Sequence, residues 1–337
     1  MSLDIALPNV VTQAEIQAAA ALLRSGGTVA IPTETVYGLG ADASNAQAVR
    51  QIFKIKGRPQ FHPLIVHIEN ASKLEKWARN IPDAAHLLAQ NFWPGALTLI
   101  LQRQPHVLDE ITGGQDTVGL RAPDHPVATA LLREFGGGIA APSANRFGHV
   151  SPTTAQHVRD EFGTQVGMIL EGGACRVGLE STIISLVQEV PVLLRPGGIA
   201  VEALEDVLNM KLALVQSGAE SGANKIRVSG TMDSHYAPVT PLELHRTEAL
   251  WQRVAQLGVR QHKVAVLTVG EKMPNNMHSG TQIFAMPVQA ERYAHDLYAT
   301  LRHFDQLDFD YLLLEAPPTS PTWLAVNDRI QRAAHRA

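Results

Sequence analysis

The sequence predicts an α/β chain in two parts, a twisted mixed-sheet domain followed by a small parallel-sheet domain. Three observations carry that expectation. At 337 residues the chain is long for a single hydrophobic core, so two cores are the starting point. Short apolar runs alternate with stretches of helical period along most of the length, the pattern of α/β architecture. The alternation breaks at residues 216–224, where Ser, Gly and Ala replace large apolar side chains, as in a linker or loop.

The elements follow in order. Ile16, Ala19, Ala20 and Leu23 share one helical face, and Gly26-Gly27 ends that helix. A short buried strand at 28–31 stops at Pro32. Val49, Ile52 and Phe53 mark a second helix, with a strand at 64–68 after it. Further strands are expected at 97–101, 117–120, 138–141, 167–170, 182–187 and 192–194, with helices at 82–91, 126–135 and 153–162. These elements make a first domain of mixed strand direction over 13–200. A linker follows at 209–240. In the third part, 241–337, strands are expected at 242–245, 264–269, 283–286 and 311–314. A helix there carries Ala290, Tyr293, Ala294, Leu297, Leu301 and Phe304 on one face, and a last helix is marked by Trp323, Val326 and Ile330.

Composition removes several classes of function. The formal charge of −4 argues against a broad nucleic-acid surface, so stable nucleic-acid binding is not expected and anion chemistry must rest on a few placed cations. No run approaches the roughly 20 apolar residues of a membrane helix, and nothing resembles a secretory signal. The one cysteine, Cys175, excludes an internal disulfide and a thiolate metal cluster, which suits a reducing, cytoplasmic setting.

Four polar clusters interrupt the apolar pattern. Lys56-Gly57-Arg58-Pro59 reads as an oxyanion grip or as a basic turn at a helix C-terminus. Ala141-Pro142-Ser143-Ala144-Asn145 and Ser151-Pro152-Thr153-Thr154 leave an apolar strand, where α/β sheets place ligand contacts; Ser151 or Thr153 serves equally well as a helix N-cap. Glu180-Ser181-Thr182 precedes a strand, and Arg195 ends the next one beside Pro196-Gly197-Gly198, as a phosphate contact or a surface residue. Residues 32–41, with Asp42-Ala43 after them, contain Gly-x-Gly-x-x-Ala, a weak dinucleotide match because the glycines do not lead from a strand into a helix. No Walker loop or His-Glu-x-x-His helix is present, and no metal site is expected from the protein's own side chains. The inventory lacks a nucleophile–base pair. It suits charge stabilisation on a phosphoryl group rather than covalent catalysis.

Taken jointly, Pro32-Thr33-Glu34-Thr35-Val36-Tyr37-Gly38-Leu39, Lys56-Gly57-Arg58-Pro59, Phe92-Trp93-Pro94-Gly95, Arg121-Ala122-Pro123, Ala141-Pro142-Ser143-Ala144-Asn145, Glu180-Ser181-Thr182-Ile183 and Arg195-Pro196-Gly197 resemble the signature of threonylcarbamoyl-AMP synthases. The resemblance implies a YrdC-like catalytic domain and a Rossmann-like C-terminal domain of the family's long form. It implies a nucleotidyltransferase that joins L-threonine, bicarbonate and the AMP part of ATP, with Mg2+ on the phosphates and the product passed to separate tRNA-modification proteins. On this resemblance Lys56 and Arg58 are the catalytic cations, and Lys56, Arg58, His62, Ser143, Asn145, Ser151, Arg195, His235 and Tyr236 hold ATP. Thr35, His67, Thr117, Arg121, Ala141 and Ser181 hold threonine.

Two departures stand out. His235-Tyr236-Ala237-Pro238 matches the family, but Met232-Asp233-Ser234 precedes it where the pattern has basic residues. Residues 319–324 replace a glycine-rich stretch ahead of Asn327-Asp328-Arg329. The aromatic, proline-stiffened end of the linker reads as a lid over the catalytic pocket or as packing for the second domain. A competing reading, an RNA-binding module with a YrdC-like domain, predicts salt-sensitive RNA affinity without ATP turnover. An aromatic content of 5% runs against base stacking as its main business. An O-carbamoyl transferase would want zinc fingers that one cysteine cannot build.

Overall fold

A computed structural model describes residues 11–214, 226–230, 235–272 and 279–335. The linker stretch 216–224 and Met232-Asp233-Ser234 lie outside the described residues. The chain divides into two compact units: Met1–Phe147 with Pro152–Thr231, and Gly148–Ser151 with Met232–Ala337.

In the first unit the described strands are β1 (Val29–Ile31), β2 (Gly38–Asp42), β3 (Ile65–His67), β4 (Ala78–Arg79), β5 (Leu97–Arg103), β6 (Thr117–Arg121), β7 (Ile139–Ala140), β8 (Met168–Ile169), β9 (Thr182–Ser185), β10 (Val192–Arg195) and β11 (Ala213–Leu214). They lie in the order β11-β10-β9-β5-β6-β3-β7-β2-β1-β8, with β4 paired to β5. Direction is mixed: β3 runs parallel to β6, β5 parallel to β9, and β1 antiparallel to β2. The registers that place the site are His67 beside Arg121, and Leu97 beside Thr182.

β2 was not among the expected strands. Its glycines explain why: a Cβ on Gly40 would come within 2.5 Å of Ile31 Cδ1, so the strand packs closely only because side chains are missing. Gly38 and Gly40 therefore sit in an antiparallel hairpin with β1, which removes the dinucleotide reading. Besides the short helices Leu74–Trp77 and Asp109–Thr112, two longer ones also went unanticipated, Val201–Leu208 here and Thr247–Val259 in the second unit. Neither has a side-chain N-cap bond.

Helix Gln13–Arg24 starts at a Thr12–Glu15 capping box and buries Ile16, Ala19, Ala20 and Leu23, the face read from the sequence. Helix Ala46–Lys56 starts at Asn45 and stops at Gly57 in the left-handed conformation, which aims Lys56 and Arg58 off the helix end.

The second unit holds β12 (Leu242–His245), β13 (Val264–Val269), β14 (Thr281–Met286) and β15 (Tyr311–Glu315), all parallel, in the order β12-β15-β13-β14. Helices Thr247–Val259, Ala290–Asp305 and Leu324–Ala334 accompany it. Tyr293, Leu297, Leu301 and Phe304 are all buried, and the Phe304 ring meets Phe284 of β14 at 4.4 Å.

Candidate active site

Lys56, the last residue of its helix, is 2% exposed. Its ammonium donates to the carbonyl oxygens of Ser143 and Asn145, and its own carbonyl accepts from Phe147 N at 2.8 Å. Lys56 does sit in the last turn of its helix, as the basic-turn reading has it, but it is buried there and bonded to the Ser143–Asn145 turn. Arg58 is also buried. Its Nη2 donates to Pro63 O at 3.0 Å, and its guanidinium lies 5.7 Å from the Phe147 ring centroid.

A second arginine joins it. Arg195, 3% exposed, donates Nη2 to Ser181 O at 2.8 Å and Nη1 to Ser229 O at 2.8 Å. Arg58 Nη2 lies 3.4 Å from Ser229 Oγ, so Ser229 brings the two guanidiniums together. Ser181 Oγ is 2.7 Å from Thr98 Oγ1. His62 packs between Phe61 and Phe147, with ring centroids at 4.5 and 5.3 Å. Burial, then the charges of Arg58 and Arg227, lower its pKa to about 4, so it is neutral at pH 7.

The other half of the site centres on Arg121. Arg121 Nη2 donates to Glu34 Oε1 at 2.6 Å, and Nε donates to Gly95 O at 3.3 Å. The other Glu34 oxygen accepts from Asp124 N at 3.0 Å. His67, beside Arg121 in the sheet, is buried. Burial, followed by Arg121, lowers its pKa to about 3. Its Nδ1 has no hydrogen-bond partner among the described residues, so a buried acceptor or donor waits there for a ligand atom. Thr35 Oγ1 is 2.9 Å from Thr33 Oγ1, one residue either side of Glu34. Ala141 N donates to Ile65 O at 3.1 Å, continuing the sheet past β7.

Thr117 begins β6 and Arg121 ends it, about 13 Å apart along an extended strand and on the same face of it. Thr117 also lines a shallow recess with Ile65, Gly119, Ile183, Arg227 and Ser229.

Neither Ser151 nor Thr153 caps the helix that follows them. Thr154 does, accepting from His157 N at 3.2 Å. Ser151, fully buried, falls in the second unit, as do His235 and Tyr236. Tyr236 is 1% exposed, stacks on Tyr298 at 5.6 Å and lies 5.2 Å from the Arg329 guanidinium. Cys175 is buried with its thiol pKa pushed up by that burial, so it offers no nucleophile. Among the described residues no three His, Cys, Asp or Glu side chains gather to hold a metal ion, and no helix is long and apolar enough to cross a membrane.

Three participants were missed from the sequence. Glu34 lies inside a quoted motif, and an acid between two threonines in a buried run was a usable signal. Thr98 is a hydroxyl in an apolar strand. Ser229 had no signal of its own.

Comparisons with known proteins show the family. A family model described as "Telomere recombination" matches residues 21–197, and one described as "Threonylcarbamoyl-AMP synthase, C-terminal domain" matches residues 199–335. The threonylcarbamoyl-AMP synthase of Bacillus subtilis is 43% identical over 95% of this chain and 93% of its own. That of Pyrococcus abyssi is 37% identical over 99% of this chain and 98% of its own. A crystal structure of P. abyssi Sua5 complexed with L-threonine superposes with a TM-score of 0.88, covering 97% of this chain and 96% of that one. The chain belongs to the threonylcarbamoyl-AMP synthase family, with both domains of its two-domain form.

Proposed function

We propose that this chain is a nucleotidyltransferase that joins L-threonine, bicarbonate and ATP into threonylcarbamoyl-adenylate, with release of pyrophosphate. The observation that carries the reading is the pairing of two buried cationic centres in one unit. One is Arg121 oriented by Glu34 beside a neutral His67; the other is Arg58 and Arg195 joined at Ser229. A relative of 37% identity is titled as a complex with L-threonine, which fits the first centre.

The threonine carboxylate would meet Arg121, whose orientation Glu34 fixes. His67 stays uncharged, so it bonds without repelling an ammonium, and the nearby Arg121 charge favours the neutral amine that chemistry needs. The amine nitrogen attacks the bicarbonate carbon and water leaves, giving the carbamate. A carbamate oxygen then attacks the α-phosphorus of ATP, and the bond to the β,γ-phosphates breaks to release pyrophosphate. Arg58 and Arg195 would offset charge on the phosphoryl group, and Lys56 would hold the Ser143–Asn145 turn against the nucleotide. Thr117, on the same face of the strand that Arg121 ends, would complete the threonine side. Magnesium enters as part of the Mg-ATP substrate, so its ligands are phosphate oxygens and water. The adenylate then serves separate tRNA-modification proteins.

The test is pyrophosphate release, followed with the adenylate identified by mass. Release should require ATP, threonine and bicarbonate together. Release that persists without threonine would exclude the reading.

A further inference from the structure

A loop of the first unit carries an exposed aromatic ring on a fixed backbone. It spans residues 58–64, after Gly57 in the left-handed conformation. Arg58 N donates to Phe53 O at 3.0 Å, His62 N to Pro59 O at 3.2 Å and Leu64 N to Ile111 O at 2.8 Å. Arg58 Nη2 braces the loop from the side, on Pro63 O at 3.0 Å. Gly113 lets the loop come close, because a Cβ there would stand 2.3 Å from Phe61 O. Phe61 lies in the turn from Pro59 to His62, and 56% of it is exposed.

A lone exposed phenylalanine is ordinary. What stands behind this one is not. The Phe61 ring lies 4.5 Å from that of His62, tilted by 33°, and the His62 ring lies 5.3 Å from that of Phe147. Phe147 in turn carries the Arg58 guanidinium at 5.7 Å. A cation and three rings are thus linked contact by contact, and the series ends in the exposed ring. His62 is 9% exposed, and its Nε2 is buried with no hydrogen-bond partner among the described residues. A buried polar nitrogen left unmatched costs stability, so it points to a ligand atom. Arg58 and Phe61 are three residues apart, which limits their Cα separation to about 11 Å. One nucleotide bridges such a span from phosphate to base.

We propose that Phe61 is the base-stacking residue of the nucleotide site, with the purine of ATP lying on its exposed side. This rests on the reading of Arg58 and Arg195 as the phosphate centre given above. Stacking needs a π face rather than a particular edge, so Phe61 favours purines over pyrimidines by ring area and does not itself choose adenine over guanine. His62 Nε2, one residue on, supplies a hydrogen bond to the same nucleoside.

The test uses the full chain with three variants, Phe61→Ala, Phe61→Tyr and Arg58→Ala. Each is titrated at equilibrium with a non-hydrolysable ATP analogue and with inorganic tripolyphosphate, which has no base, and its melting temperature is recorded. Phe61→Ala should weaken the analogue about ten-fold, the loss of one base–aromatic stack, and leave tripolyphosphate within two-fold of the parent. Its melting temperature should change little, since the side chain is more than half exposed. Phe61→Tyr keeps the ring and should bind the analogue within two-fold of the parent. Arg58→Ala should weaken both ligands. If Arg58→Ala leaves tripolyphosphate unchanged, the phosphate centre is misplaced and the proposal falls with it. If Arg58→Ala weakens both while Phe61→Ala leaves the analogue unchanged, the phosphate centre stands and the stacking role is wrong. Equal losses of analogue and tripolyphosphate in Phe61→Ala would make the ring a prop for Arg58 and overturn the proposal, as would a Tyr variant as weak as the Ala variant.

Discussion

Lys56 offers the sharpest separation between holding a substrate and holding the protein. From the sequence alone, replacing Lys56, Arg58 or Arg195 should cut turnover and leave the fold intact. The structure changes that expectation for Lys56, whose ammonium donates to two main-chain carbonyls, those of Ser143 and Asn145. Substitution by Met keeps the apolar stem and fills the same space, so little cavity cost is added. What is lost is charge-assisted hydrogen bonding, worth about 1.5–3 kcal/mol per bond. Asn145 is buried, so water does not readily replace the ammonium at its carbonyl; Ser143 is half-buried, and water can replace part of its bond. The expected loss of stability is therefore about 2–4 kcal/mol rather than twice the single-bond figure. Urea unfolding of Lys56→Met and Arg58→Ala in parallel measures it. Arg58→Ala removes a bond to Pro63 O and one to Ser229, and the same unfolding curve gives its cost. Both variants should lose at least ten-fold in kcat/KM for ATP, measured well below their melting temperatures. A Lys56→Met protein as stable as the parent would refute the claim that this ammonium anchors the turn.

Other consequences follow. On the assignment of Thr35 and Ser181 to the threonine side, valine should be turned over at least a hundred-fold less efficiently than threonine, and serine should suffer less, about ten- to a hundred-fold; equal use of valine and threonine would contradict this. His67 binds its proton more weakly folded, at about 3, than its ordinary 6.5. The unfolded chain therefore takes up that proton first, and the contribution of His67 is complete above pH 6.5 and lost as pH falls toward 3. That loss steepens acid denaturation by up to about 1.4 kcal/mol per pH unit, and His67→Gln should flatten the slope. Tyr236 is buried against Tyr298 and Arg329, so Tyr236→Ala should cost about 3–5 kcal/mol in unfolding free energy, the range of a buried aromatic truncation. A melting temperature within a degree or two of normal would show that this packing adds little and would favour a lid role for this residue.

The sequence made the helices and the second sheet readable for a common reason. Leu242–His245 and Val264–Val269 are apolar runs between breakers, and their bounds were read as they stand. Helix faces such as that of Gln13–Arg24 repeat at 3.6 residues and carry their own caps. Val201–Leu208 and Thr247–Val259 lacked the capping signal, and β2 was hidden by glycines that exist for close packing rather than for a turn. In the site, cations and hydroxyls in punctuated motifs were legible one at a time. Their partnerships were not, because Glu34 meets Arg121, and Ser229 meets Arg58, across 87 and 171 residues.

The second unit repays one more step of argument. In its sheet the chain runs from β13 to β14 on one side and returns to β15 on the other, so the switch point lies between the carboxyl ends of β13 and β15. Sheets of this kind take ligands in that crevice. Here a protein carboxylate spans it. Glu315 Oε2 accepts from Val269 N at 2.9 Å, while Oε1 accepts from Thr247 Oγ1 at 2.5 Å and from the Lys272 ammonium. Each strand end on either side of the switch is thus tied to the other by the chain itself, and the buried charge is matched by an ammonium and two hydrogen-bond donors. Such a crosslink stiffens the edge of the sheet on which helix Ala290–Asp305 rests through its apolar face. A firm seat is what the other side of that helix requires. There Tyr298 stacks on Tyr236, Arg302 donates to the carbonyls of Val150 and Ser151, and Asp305 accepts from Val239 N and Thr240 N. Each contact fixes a group in a single orientation, and an orienting contact is only as definite as the element that carries it.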